Sequence, residues 1–133
     1  MRETIVFNSD ELNYLKSQFL ARIATATPKG KPNVATVGFE FDGDYFYVGS
    51  VNQEILRSTP KYHNVKNGNK QVAMTIDDLV SVEPWNVRGI RVNGLADTVT
   101  RKGEFGEGEY IRIKPKLTWS WGITGSGTKT VWK

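Results

Sequence analysis

Apolar positions along the chain follow two rhythms. Behind Ser9-Asp10-Glu11, the residues Leu12, Tyr14, Leu15, Phe19 and Leu20 recur at helical spacing, which predicts a capped amphipathic helix. From Ala21 onward the rhythm shortens to β-branched runs and alternation. Residues 21–27 read as a strand, Thr27-Pro28-Lys29-Gly30-Lys31-Pro32 as turn chemistry, and 34–41 as the returning strand of a hairpin. Asp42-Gly43-Asp44 is a tight turn before a third strand at 45–50. A short helix follows, with Thr59 as N-cap, Pro60 as first helical residue and Asn67-Gly68 as the stop. Strands are predicted at 71–77, 88–99 and 110–116, the last with a possible extension through Trp119-Ser120-Trp121. A glycine-rich connection is expected at 100–109, and a flexible tail at 123–133. Six strands with short turns and no βαβ alternation predict a mainly β fold, a six-stranded barrel with peripheral helices.

Length and composition narrow this picture. The 133 residues predict one domain, 1–133, with chain enough for a core. No apolar run nears the roughly 20 residues that span a membrane. The start MRETIVFNSDEL carries acids and no apolar leader core, so a cytoplasmic protein with no membrane partner is expected. Zero cysteines exclude a disulfide framework, a thiol nucleophile and a cysteine-ligated metal. The net charge of +4 is mild and fits an anionic small ligand as well as a nucleic acid.

The positive excess is uneven. Residues 57–70 hold Arg57, Lys61, His63, Lys66 and Lys70 with no acid. The predicted helix therefore starts with Lys61 in its first turn, although a helix N-terminus favours anions. Either this is a solvated basic loop, or the helix start awaits an anion.

Other motifs fail on inspection. The stretch 122–130, Gly-Ile-Thr-Gly-Ser-Gly-Thr-Lys-Thr, nearly spells a phosphate-binding loop. It has one residue too many before the lysine and too little chain behind it for the necessary helix. His63 is the sole histidine, and no serine sits on a nucleophile elbow to use it. Asp77 and Asp78 are adjacent on a strand and point to opposite faces, so no metal is expected. Phe39, Phe41, Tyr45 and Tyr47 could form a stacking platform for single-stranded nucleic acid, but the same pairing describes a core layer.

Three pieces in order resemble one family. They are the Pro28-to-Pro32 hairpin turn followed by a strand and Phe41-Asp42-Gly43-Asp44, then Thr59-x-Lys61-x-x-Asn64, then Arg88-Gly-Ile-Arg-Val-x-Gly94. Together they resemble the flavin-binding split-barrel family typified by pyridoxamine 5′-phosphate oxidase, from about Leu12 to Trp121. The stretch 76–85, with Tyr110-Ile-Arg-Ile-Lys-Pro115 and Trp119-Ser120-Trp121, is similar to the branch that uses the deazaflavin F420. True pyridoxamine phosphate oxidases are longer and carry Arg-Lys where this chain has Pro60-Lys61.

The resemblance implies an oxidoreductase that binds F420, or alternatively FMN, with no catalytic side chain. It transfers a hydride to or from a small organic substrate. By the same resemblance, Lys61 and Thr59 hold the cofactor phosphate, and backbone groups of Val34, Ala35, Thr36 and Val37 meet the polar edge of the ring. Gly49 and Ser50 flank the phosphate-side chain. Gly49 is equally readable as a strand-end bulge. Asn64 either contacts the ligand or caps locally, and Arg88 either meets an anionic group or is an exposed strand charge. The family forms homodimers with the cofactor between subunits, so Trp119 and Trp121 either reach across or only pack at an edge. Two rivals remain: a non-catalytic flavin carrier with the same fold, and a nucleic-acid-binding barrel.

Overall fold

Asn8 caps the first helix, one residue earlier than the acid-rich run indicates. The computed structural model describes residues 7–123 and the backbone of Thr128–Thr130. In α1 (Ser9–Ser17) the Asn8 side chain accepts from the Glu11 N–H at 2.8 Å, and the Glu11 carboxylate accepts from the Asn8 N–H at 2.9 Å. Glu11 is buried and also accepts from the Ser120 hydroxyl, which ties the helix start to the far end of the chain. Gln18 is extended, so Phe19 and Leu20 lie outside the helix despite their spacing.

The strands are β1 (Leu20–Ala26), β2 (Pro32–Gly38), β3 (Glu40–Phe41), β4 (Phe46–Val48), β5 (Gln71–Ser81), β6 (Asn86–Gly103), β7 (Gly106–Trp121) and β8 (Thr128–Thr130). Between β4 and β5 stand α2 (Gln53–Ser58) and α3 (Pro60–Lys66). The hydrogen-bonded order is β2-β1-β5-β6-β7-β4-β3, with β8 on β7. Every pairing is antiparallel.

Register sorts the two faces. Ile23, Met74, Val92 and Thr118 stand opposite one another across four strands, and all are buried. One step along, Arg22, Thr75, Arg91 and Trp119 face outward. Val37 near one end of the strand order and Phe46 and Ile113 near the other share one apolar cluster, so the sheet curls around a single core. Its end strands β2 and β3 are not paired to each other among the described residues. The architecture is a mainly β barrel split along that seam, as expected.

Among the described residues, eight strands replace the expected six. The run 34–41 breaks at Phe39, because the chain turns a corner there and Phe39 packs toward Phe46, ring centroids 6.1 Å apart. The expected glycine-rich connection at 100–109 is instead the end of a long hairpin. β6 and β7 pair down to Gly103 opposite Gly106, with only Glu104 and Phe105 between them. Gly106 supplies the φ of +94° that the turn needs. The short α2 was not foreseen; Asn52 caps it by accepting from the N–H groups of Glu54 and Ile55. The expected flexible tail, 123–133, lies outside the described residues except for Ile123 and the backbone of Thr128–Thr130, which pairs with Leu117, Thr118 and Trp119. Of the phosphate-loop-like stretch, residues 124–127 likewise fall outside them.

The four aromatics do not form one platform. Phe39 and Phe41 pack on the core, Tyr47 donates to Asp42 at 2.9 Å under the Arg101 guanidinium, and Tyr45 lies beneath that of Arg112.

Candidate functional site

Thr59 ends α2 and begins α3. Its hydroxyl donates to the Leu56 carbonyl at 2.7 Å and accepts the Tyr62 N–H at 3.4 Å. The hydroxyl is thus committed to the chain itself, and is a weak cap. Pro60 opens α3, Asn67 closes it, and Gly68 follows with φ +117°, all as the sequence indicates.

α3 is pinned to the barrel by its buried side. Asn64, 6% exposed, donates to the Thr25 hydroxyl of β1 at 2.9 Å. Asn69 donates to the Thr27 carbonyl at 3.1 Å. The Asn64 amide therefore positions the helix.

The cations of this segment separate into two groups. Arg57 and Lys66 lie 3.7 and 3.9 Å from the carboxylate of Glu109 on β7, which also accepts from the Tyr62 hydroxyl at 3.1 Å. The acid missing between 57 and 70 is supplied from more than forty residues away. Lys61 has no such partner among the described residues. It is half-buried, and that burial pushes its ammonium below the usual lysine range. With seven residues, α3 has a small dipole, and the full charge of Lys61 dominates its start.

β2 lies beside this helix: α3 packs against both β1 and β2. Along β2 the Val34 and Thr36 side chains are exposed, while Ala35 packs on the core and Val37 is buried. β2 ends the strand order, so its outer edge presents backbone N–H and C=O groups that no described strand pairs. Gly49 and Ser50 lie between β4 and α2. A Cβ at Gly49 would stand 2.5 Å from the Tyr110 ring, so the glycine is there to seat that ring. Ser50 accepts from the Asn52 N–H at 3.1 Å, as part of the turn into α2.

Arg88 sits elsewhere, in a closed network. Its guanidinium donates to both Asp78 oxygens, at 2.9 and 3.1 Å. The Tyr14 hydroxyl donates to the same carboxylate at 2.8 Å. The Arg88 contact holds the Asp78 carboxyl below the usual carboxylate range, and burial followed by Asp78 pushes the Tyr14 hydroxyl up. Asp77 turns to the other face and pairs with Arg22, as the strand alternation requires. Trp119 and Trp121 are on the outer face of β7. Arg91 covers the Trp119 ring at 4.2 Å, and Gly89 leaves room for Trp121, 2.7 Å from where a Cβ would be.

α3, which carries Lys61 in its first turn, thus packs against β1 and β2, whereas Arg88 is engaged by Asp78 and Tyr14. Sequence reasoning missed a cleft of about 810 Å³ between the end of α1 and the β2–β3 corner; it contains none of the residues expected to bind cofactor, although Phe39 and Phe41, read as a stacking platform or a core layer, line it. A further signal for it was the pair Phe19-Leu20, apolar residues that fit the helical spacing but lie beyond the helix. Among the described residues no group of three or more His, Asp or Glu side chains could hold a metal ion.

Comparisons with known proteins agree with this architecture. The family model described as pyridoxamine 5′-phosphate oxidase matches residues 9–119. The 5a,11a-dehydrotetracycline/5a,11a-dehydrooxytetracycline reductase of Streptomyces rimosus subsp. rimosus is 32% identical over 123 residues, covering 90% of this chain and 85% of the relative. A solved F420 reductase superposes with a TM-score of 0.62 at 21% identity, over 85% of this chain and 98% of that one. HutZ, the heme storage protein of Vibrio cholerae, superposes with a TM-score of 0.63 at 13% identity, over 96% of each chain. At those identities the two structures share the fold alone. The family match spans most of the sequence and the reductase covers nearly all of it, so this chain belongs to the pyridoxamine 5′-phosphate oxidase family.

Proposed function

We propose that this chain is an oxidoreductase that binds F420, with FMN as the alternative, and moves a hydride to or from a small organic molecule. Family membership and the reductase relative support the oxidoreductase class. The observation that carries the cofactor reading is Lys61, a half-buried ammonium with no carboxylate within reach among the described residues. A phosphate fits that position, because it supplies the missing counter-charge where solvent is already partly excluded.

In this reading Lys61 holds the phosphate, and Thr59 shapes the helix start rather than donating to the ligand. The unpaired edge of β2, at Val34, Ala35, Thr36 and Val37, meets the polar edge of the ring with backbone groups. Gly49 and Ser50 set the turn that brings α2 and α3 alongside. When bound, the flavin-type ring supplies the hydride chemistry, and the protein binds, orients and excludes water. The outer sheet face, with Val34 at 68% exposed and Trp119 and Trp121 on β7, supports a homodimer that covers the cofactor. In this reading Arg88, held by Asp78, is left outside the cofactor site.

The test is a titration of cofactor-stripped protein with F420 and with FMN, followed by tryptophan quenching. Tight F420 binding with weak FMN binding supports the reading, and the reverse moves the assignment to FMN. Binding of neither overturns it. Turnover is then assayed by the absorbance of reduced cofactor, with 5a,11a-dehydrotetracycline as the first acceptor because the relative is named for it. Binding without turnover of any acceptor would indicate a carrier.

A further inference from the structure

The cleft of about 810 Å³ lies between the end of α1 and the corner joining β2 to β3. Its volume is within the roughly 300–1,000 Å³ typical of small-molecule sites. Leu12 of α1, Phe19 and Leu20 just beyond it, Phe39 and Phe41 at the strand break, and Phe105 of the β6–β7 turn form its apolar wall. Part of that wall is rigid. Phe41 packs on Phe46 with centroids 4.5 Å apart, and Phe105 sits against the Gly38 backbone, where a Cβ would stand 2.7 Å from the ring. The rim is open instead: Phe19 is 80% exposed and Leu20 55% exposed. Adjacent exposed apolar residues at the mouth of a cleft mark a contact surface rather than stray exposure.

Charge decides what could enter. Glu40, Asp42 and Glu104 line the cleft against the single cation Lys16. Glu40 is matched by Arg101, and Asp42 is occupied by Tyr47 and by the N–H groups of Asp44 and Tyr45. Glu104 has no partner for its carboxylate among the described residues. An anion would meet repulsion from this rim, whereas a flat ring finds aromatic walls and a cation finds Glu104.

We propose that this cleft is a binding site for a flat aromatic molecule, uncharged or cationic, separate from the Lys61 position. It does not depend on the cofactor reading, since no residue is shared between the two.

The full chain is titrated with two tricyclic dyes of similar shape, cationic 9-aminoacridine and anionic anthracene-9-carboxylate, by fluorescence anisotropy. The cation is expected to bind about tenfold or more tightly than the anion. Phe19→Ala, at an exposed position that leaves the core intact, is expected to weaken the cation about fivefold. Glu104→Lys, in the hairpin turn, is expected to abolish the preference for the cation. Both variants should titrate with F420 or FMN as the parent does. Equal binding of the two dyes, or cation binding that neither variant changes, overturns the proposal. Loss of cofactor binding in the parent, with the dye pattern intact, overturns the oxidoreductase reading and leaves this site standing.

Discussion

Arg88 and Lys61 were both expected to meet an anionic ligand, and they differ in what the chain places around them. Arg88 has a bidentate carboxylate and a tyrosine hydroxyl on the same acid, so its charge is satisfied within the fold. Lys61 is partly withdrawn from water and given no acid among the described residues. Its neighbours Arg57 and Lys66 show that the chain can supply one, because Glu109 reaches both. Ordinary folding leaves few buried charges unmatched, since desolvation disfavours them. The contrast indicates that a cation's missing partner says more about ligand binding than its sign does.

The largest effect should come from the satisfied region. Tyr14, on the buried face of α1, is 4% exposed, so Tyr14→Ala should cost about 3–5 kcal/mol in urea unfolding. Any protein that remains folded should bind cofactor like the parent. If cofactor affinity fell in proportion, the two regions would not be separate. Next comes Lys61→Ala, which should weaken cofactor binding by about 1–3 kcal/mol and leave the urea midpoint unchanged or slightly raised. Undiminished binding by tryptophan quenching would remove Lys61 from the site.

The smallest effect is one of pH. Burial lowers the Lys61 pKa in the free protein, and a bound phosphate would raise it again, so binding takes up protons at alkaline pH. Cofactor affinity should therefore fall as pH rises from about 8 to about 10, by no more than roughly tenfold. Lys61→Arg, whose guanidinium stays charged throughout, should bind with a flat profile over that range. A decline identical in both proteins would assign it to another group.

What could be read from the sequence was what local chemistry decides. Thr59, Pro60 and Asn67-Gly68 bracket α3 because capping and φ preferences act over a few residues. The hairpin of β1 and β2 was equally plain from its Pro and Gly turn. The break at Phe39 was hidden, because apolar alternation runs unbroken through 34–41 and the packing of Phe39 toward the Phe46 ring is a tertiary contact. The β6–β7 hairpin looked like a loop since glycines dominate its end, although cross-strand pairing carries it to Gly103. The separation of Lys61 from Arg57 and Lys66 rests on Glu109, far along the chain. The reading of Gly49 required the Tyr110 ring, which is just as distant in sequence.

The bond from Asn64 to Thr25 sets a fixed origin. Lys61 stands three residues before Asn64 on the same short helix, and that helix is fastened to β1 at 2.9 Å. The ammonium can swing on its own stem, but its backbone cannot slide along the barrel. A ligand held there is measured from one end, as on a ruler clamped at zero. Relatives that accept longer or shorter molecules would have to differ away from this helix, while the clamp stays where it is.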